Sequence, residues 1–91
     1  MKKRIECKIT GRVQMVMFRD FTMRHARKLK ITGFVRNEKD GSVFSVAEGE
    51  EENLNKLIED LKRGNVLSRV DDVKTEWKEP TGEFSGFNIE Y

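Results

Sequence analysis

The chain has 91 residues, the size of one small domain, and we predict a single domain over residues 1–91. Eighteen basic and sixteen acidic residues leave a net charge of only +2, too balanced to require a nucleic acid partner, so any attraction for anions must come from a local site. The single cysteine, Cys7, excludes an internal disulfide and a cysteine-based metal centre, and the single histidine, His25, excludes the usual catalytic zinc sites.

The first third of the chain predicts a strand followed by a helix. Ile5, Cys7 and Ile9 alternate with polar residues, a pattern typical of a strand with one buried face. After a loop the apolar spacing becomes helical and basic residues gather late, which suits the helix dipole. We therefore predict a first helix over about residues 20–30.

The middle of the chain predicts a β-hairpin. Residues 33–37 and 42–48 each have the composition of a strand, and Asp40 and Gly41 lie between them. An Asp-Gly pair between two apolar runs is a strong hairpin signal.

The second half predicts a helix and two more strands. An acidic run, residues 50–52, opens a helix with one apolar stripe, and Gly64 is placed to end it. The stripe consists of Leu54, Leu57, Ile58 and Leu61. Residues 73–77 alternate as a fourth strand, and Phe87 and Ile89 predict a short final one.

The resulting order, βαββαβ with a short tail, predicts an α+β fold. We expect a ferredoxin-like split βαβ sandwich: a four-stranded antiparallel sheet with two helices on one face, plus a short C-terminal strand. Because this fold hosts many functions, the fold alone does not identify the activity.

Two segments carry residues suited to binding a phosphate. Residues 11–19 form a loop that leads into a helix N-terminus, where unpaired N–H groups attract anions, and the fork of Arg19 matches two phosphate oxygens. Asn37 has an amide that can hold a water and a phosphate oxygen together. Taken alone, each residue has a plainer interpretation: Arg19 as a surface arginine and Asn37 as a residue that favours the hairpin turn.

Together these segments resemble the two signatures of the acylphosphatase family. The first family pattern, G-x-V-Q-G-V-x-F-R, is similar to Gly11-Arg12-Val13-Gln14-Met15-Val16-Met17-Phe18-Arg19. The second, G-F/W-V-x-N followed by G-x-V and a later glycine, is matched from Gly33 through Asn37, Gly41 and Val43 to Gly49. The resemblance covers nearly the whole chain, in order and without gaps.

The resemblance implies an enzyme that hydrolyses the carboxyl-phosphate anhydride of acyl phosphates without a metal or other cofactor. Arg19 would hold the phosphoryl group, and Asn37 would position the attacking water. The phosphate cradle would be formed by backbone N–H groups of five residues: Gln14, Met15, Val16, Met17 and Phe18.

Met15 departs from the family pattern, which has glycine there. If residue 15 adopts a positive φ, a side chain costs about 1–2 kcal/mol, and the methionine either distorts the loop or shields its mouth. We expect a slower or looser-binding enzyme, and the alternative is a catalytically weak or inactive module that binds phosphate or acyl phosphates. Met17 falls at a variable position of the pattern.

The expected partners are small-molecule acyl phosphates and inorganic phosphate. An RNA-binding domain shares the βαββαβ order, but residues 42–48 lack aromatics flanked by basic residues and end acidic, so we expect no nucleic acid partner. No signal peptide or apolar span is evident. We expect a cytoplasmic monomer that does not bind membranes.

Overall fold

The computed structural model describes all 91 residues, and its elements follow the predicted order. The strands and helices are β1 (Lys2–Arg12), α1 (Phe18–Lys28), β2 (Thr32–Asn37), β3 (Val43–Glu50), α2 (Glu51–Arg63), β4 (Arg69–Lys78) and β5 (Phe87–Glu90). Neither helix is long and apolar enough to cross a membrane.

The sheet has five strands in the order β4-β1-β3-β2-β5, which differs in one respect from the prediction. The first four strands pair antiparallel as expected, whereas β5 joins the edge strand β2 in parallel. The N–H of Gly33 donates to the carbonyl of Gly86 at 2.8 Å, just before β5 begins. The ferredoxin-like prediction is confirmed, with a mixed sheet instead of a four-stranded antiparallel one.

Both helices cover the same face of the sheet, and the core lies between the two layers. The predicted stripe of α2 packs there, with its residues 0–8% exposed. Ile5, Cys7 and Ile9 of β1 are also buried, as their alternation predicts. In β2, Val35 is buried beneath the helices, and because residues of a strand alternate between its two faces, Asn37 lies on the same face.

Helix α1 begins at Phe18, two residues earlier than predicted. Met17 adopts a left-handed conformation, and its carbonyl accepts the first hydrogen bond of the helix from the N–H of Phe21, at 3.0 Å. The helix also ends two residues early, at Lys28, and Lys30 has φ 57°. The early start brings Arg19 into the first turn, directly after the loop.

Gly11 sets the direction in which the chain leaves β1. The register of β1 against β4 shifts between Thr10 and Gly11, and Gly11 has φ 125°. A Cβ atom at this position would overlap the carbonyl oxygen of Arg69. Because only glycine fits this bulge, it fixes how the chain enters the loop that precedes α1.

Candidate functional site

The loop between β1 and α1 has the backbone of an anion-binding nest. Met15 and Met17 are left-handed, with φ 61° and 64°, whereas Val16 between them is not. An alternation of this kind turns successive N–H groups toward one side. The N–H groups of residues 14–19 donate to no backbone carbonyl, so they are available to a ligand at the start of α1.

Both methionines of the loop occupy conformations that favour glycine. The positive φ considered for Met15 is observed, and Met17 shares it, although the sequence pattern gave that position no special weight. Left-handed backbone costs a residue with a side chain about 1–2 kcal/mol. Neither side chain gains core packing in return, since Met15 is 98% exposed and Met17 is 62% exposed. Strain of this kind is typical of functional loops.

Arg19 projects from the first turn of α1 with its charge uncompensated. Its guanidinium lies over the ring of Tyr91, 5.1 Å from the ring centroid, and forms no ion pair. The neighbouring carboxylate, Asp20, binds Arg24 at 2.9 Å instead. An arginine that keeps its full positive charge beside free N–H groups is well suited to hold an anion.

Asn37 is the last residue of β2 and lies at the same end of the molecule as Arg19. The parallel ladder pairs Arg36 with Glu90, so the next residues, Asn37 and Tyr91, are neighbours, and Tyr91 also contacts Arg19. The Oδ1 atom of Asn37 is buried and has no hydrogen-bond partner within the protein. A buried polar atom of this kind usually serves a water or a ligand.

The side chain of Gln14 joins the loop to the strand end that carries Asn37. Its Nε2 donates to the carbonyls of Glu38 and Ser42, both at 2.8 Å. These two residues flank the β2–β3 turn and also bond each other, from the N–H of Glu38 to the carbonyl of Ser42. The sequence prediction gave Gln14 only a backbone role, since the target of its amide depends on tertiary structure.

Asn65, which the sequence prediction missed, makes a second side-chain contact to the loop. It follows α2, and its Nδ2 donates to the carbonyl of Val16 at 2.8 Å. Its own N–H bonds the Oγ of Ser68, which anchors Asn65 within its turn. Asn65 thereby fixes the carbonyl of Val16, and the Gln14 and Asn65 side chains tie the loop to two different segments of the chain. No sequence signal marks Asn65, because an asparagine after a helix-ending glycine is common in turns.

Comparisons with known proteins agree with this arrangement. The family model described as Acylphosphatase matches residues 5–89. The acylphosphatase of Salinibacter ruber is 48% identical over 88 residues, which cover 97% of this chain and 93% of that relative. The chain belongs to the acylphosphatase family.

Solved acylphosphatase structures have the same fold. The crystal structure of acylphosphatase from Bacillus subtilis superposes with a TM-score of 0.94 at 35% identity, covering 100% of both chains. The structure of an acylphosphatase from Coxiella burnetii gives 0.91 at 31% identity, covering 98% of this chain and 93% of that one. The predicted family and enzyme class, an acylphosphatase, are confirmed.

The two titratable side chains that composition first singled out lie outside the acylphosphatase signatures. His25 packs against Phe21, with ring centroids 4.4 Å apart, and its Nδ1 lies 3.0 Å from a carboxylate oxygen of Asp60. Cys7 is 1% exposed, and burial raises the pKa of its thiol to about 11. The contacts of His25 and the burial of Cys7 are typical of structural residues.

Proposed function

We propose that the chain hydrolyses acyl phosphates by direct attack of water on a phosphoryl group that Arg19 and the loop N–H groups hold, without a metal or other cofactor. The observation that carries the proposal is the convergence of three unsatisfied groups at one end of the sheet. These are the free guanidinium of Arg19, the row of unpaired N–H groups in residues 14–18 and the buried Oδ1 of Asn37.

In this mechanism the loop and Arg19 bind the phosphoryl oxygens. Phosphoryl transfer requires positioning and stabilisation of charge on those oxygens more than covalent help from the protein. The N–H donors are fixed by the backbone and by the Gln14 and Asn65 contacts, so they need no reorganisation as charge develops. The planar fork of Arg19 supplies a positive charge and N–H donors whose geometry matches two phosphoryl oxygens.

Asn37 positions the water. Its Oδ1 accepts a hydrogen bond from the water, while Nδ2 can donate to a phosphoryl oxygen. The water oxygen forms a bond to phosphorus as the bond between phosphorus and the acyl oxygen breaks, and the electron pair leaves with the carboxylate. The proton of the water passes to a phosphoryl oxygen, so no protein base is needed, and carboxylate leaves without a general acid.

The proposed partners are small-molecule acyl phosphates and inorganic phosphate. On the open face of the sheet Phe34 and Phe44 are neighbours, but the guanidinium of Arg36 lies 5.3 Å and 5.1 Å from their ring centroids. Arg36 is in turn paired with Glu38 at 3.0 Å. The two rings are covered by Arg36 and so are not open for base stacking, and the charge of Arg36 is already paired with Glu38. Both observations support the proposal that no nucleic acid binds there. A cytoplasmic monomer remains a prediction.

The test is release of inorganic phosphate from benzoyl phosphate in the presence of a chelator. We expect turnover by the parent chain, loss of nearly all turnover in Arg19→Ala, and a higher Ki for inorganic phosphate in that variant. Arg24→Ala is the matched control, since it removes a neighbouring exposed arginine of α1 that faces Asp20 instead of the loop. Turnover that disappears with the chelator contradicts the mechanism. Phosphate binding without turnover in the parent identifies the binding module instead.

A further inference from the structure

Beside Arg19 the surface opens into a cavity of about 470 Å³ whose wall is mainly apolar. Six of its eight lining residues are hydrophobic, and they include Met15, Met17, Ile89 and Tyr91. The cavity is continuous with the proposed phosphate site, because Met15 and Met17 supply both its rim and the backbone of the nest.

The two methionines do nothing for the core and are available to a ligand. Both are exposed, and both stand on left-handed backbone, where a side chain is unfavourable. Large apolar side chains that cluster in solvent around a polar site are typical of a binding surface. Methionine in particular adapts its flexible side chain to apolar groups of different shape.

The charges around the cavity indicate which acyl groups fit. Arg19 is the only cation among the lining side chains and is the proposed phosphate ligand, and the one side-chain carboxylate is that of Asp20. A second anionic group on the acyl part would therefore find no cation to bind. An aromatic or alkyl acyl group would instead exclude water from Met15, Met17 and the Tyr91 ring.

We propose that Met15, Met17, Ile89 and Tyr91 form an acyl subsite that makes this chain selective for acyl phosphates with apolar aryl or alkyl groups. The proposal rests on the proposed function, since it uses Arg19 as the phosphate ligand. The cavity adjoins Arg19, so an acyl group attached to a phosphoryl group held there can reach the two methionines.

The experiment compares kcat/KM for benzoyl phosphate and acetyl phosphate in three chains: the parent, Met15→Gln/Met17→Gln and Met15→Leu/Met17→Leu. Glutamine keeps the length of methionine and makes the wall polar, whereas leucine keeps it apolar, and both retain a side chain on the left-handed backbone. We expect the benzoyl-to-acetyl ratio to fall about tenfold in the glutamine variant and to stay near the parent value in the leucine variant. If the substitutions disturb the loop N–H groups, kcat/KM changes by the same factor for both substrates, so this effect cancels in the ratio.

A second readout does not depend on turnover. The ratio of Kd for methylphosphonate to Kd for phenylphosphonate, measured by calorimetric titration, should fall in the glutamine variant only. Equal ratios in all three chains, by both readouts, overturn the acyl subsite. Failure of the proposed function gives a different result: the parent hydrolyses neither substrate, while the phosphonate ratio still reports on the apolar wall.

Discussion

The hydrogen bonds from Gln14 to the β2–β3 turn are predicted to couple the loop between β1 and α1 to Asn37. The perturbation is Gln14→Met, which keeps the length of the side chain and removes both donors. Each lost hydrogen bond contributes about 0.5–1.5 kcal/mol. The two carbonyls keep other donors, because that of Glu38 also accepts from Gly41 and that of Ser42 from Glu38. Losing the two hydrogen bonds of Gln14 should therefore lower the free energy of unfolding by an amount in the lower part of the range, about 1–2 kcal/mol in total.

Two measurements follow from that magnitude. The Tm should fall by about 4–8 °C per kcal/mol for a chain of this size. For benzoyl phosphate, kcat/KM should fall about tenfold, which corresponds to about 1.4 kcal/mol. If Gln14 acts by positioning Asn37, the same change made in an Asn37→Ala background should lower kcat/KM much less, which a double-mutant cycle measures.

Ser45→Ala is the matched control for this prediction. It removes a partly buried side-chain hydrogen bond, at 2.8 Å, from Ser45 to the carbonyl of Phe34 in the same pair of strands, but away from the loop. We expect a lower Tm and an unchanged kcat/KM for the folded protein. The reasoning is refuted if the effects of Gln14→Met and Asn37→Ala on kcat/KM are additive, or if Ser45→Ala lowers kcat/KM equally.

Two further predictions concern contacts at either end of the molecule. Asn65→Ala removes the donor to the carbonyl of the buried Val16, and leaving that carbonyl unpaired costs about 1–3 kcal/mol. We therefore expect the Ki for inorganic phosphate to rise several-fold. An unchanged Ki would show that the loop holds its shape without Asn65. For Glu48, burial alone would raise the carboxyl pKa, but hydrogen bonds from the amides of Thr81 and Gly82 and from Arg4 lower it from 4.5 to about 2. The ionised carboxylate of Glu48 therefore stabilises the fold fully above about pH 4.5. This stabilisation is lost progressively as the pH falls toward 2. Glu48→Gln should flatten the fall in Tm over this interval, and equal slopes for both chains would show that another carboxyl drives acid unfolding.

The elements that sequence alone predicted are those in which local pattern and tertiary burial agree. The stripe of α2 and the alternation of β1 each require one buried face, and the structure provides it. The direction of β5 could not be predicted, because a short alternating strand pairs equally well in parallel or antiparallel sheets. The early start of α1 depends on the left-handed Met17, a conformation that helix propensities disfavour.

Within the candidate site, the motif named Arg19 and Asn37 but not what holds them. The contacts of Tyr91 and the Asn65 side chain arise only after distant segments come together, across 72 and 49 residues respectively. Amide side chains such as those of Gln14 and Asn65 can bond water, a nearby turn or a distant backbone carbonyl. The sequence therefore does not reveal which partner each one has. The family pattern expects glycine at position 15, which suggested the positive φ of Met15, but it gave no such signal for Met17.

The most direct test of the mechanism is the effect of Asn37→Ala on turnover and on phosphate affinity, measured together on the same preparation. If Asn37 holds the water while Arg19 and the loop hold the phosphoryl group, kcat for benzoyl phosphate should nearly vanish. The Ki for inorganic phosphate should then stay within a few-fold of the parent value. A variant that retains kcat, or that loses phosphate affinity as completely as Arg19→Ala, contradicts the assignment.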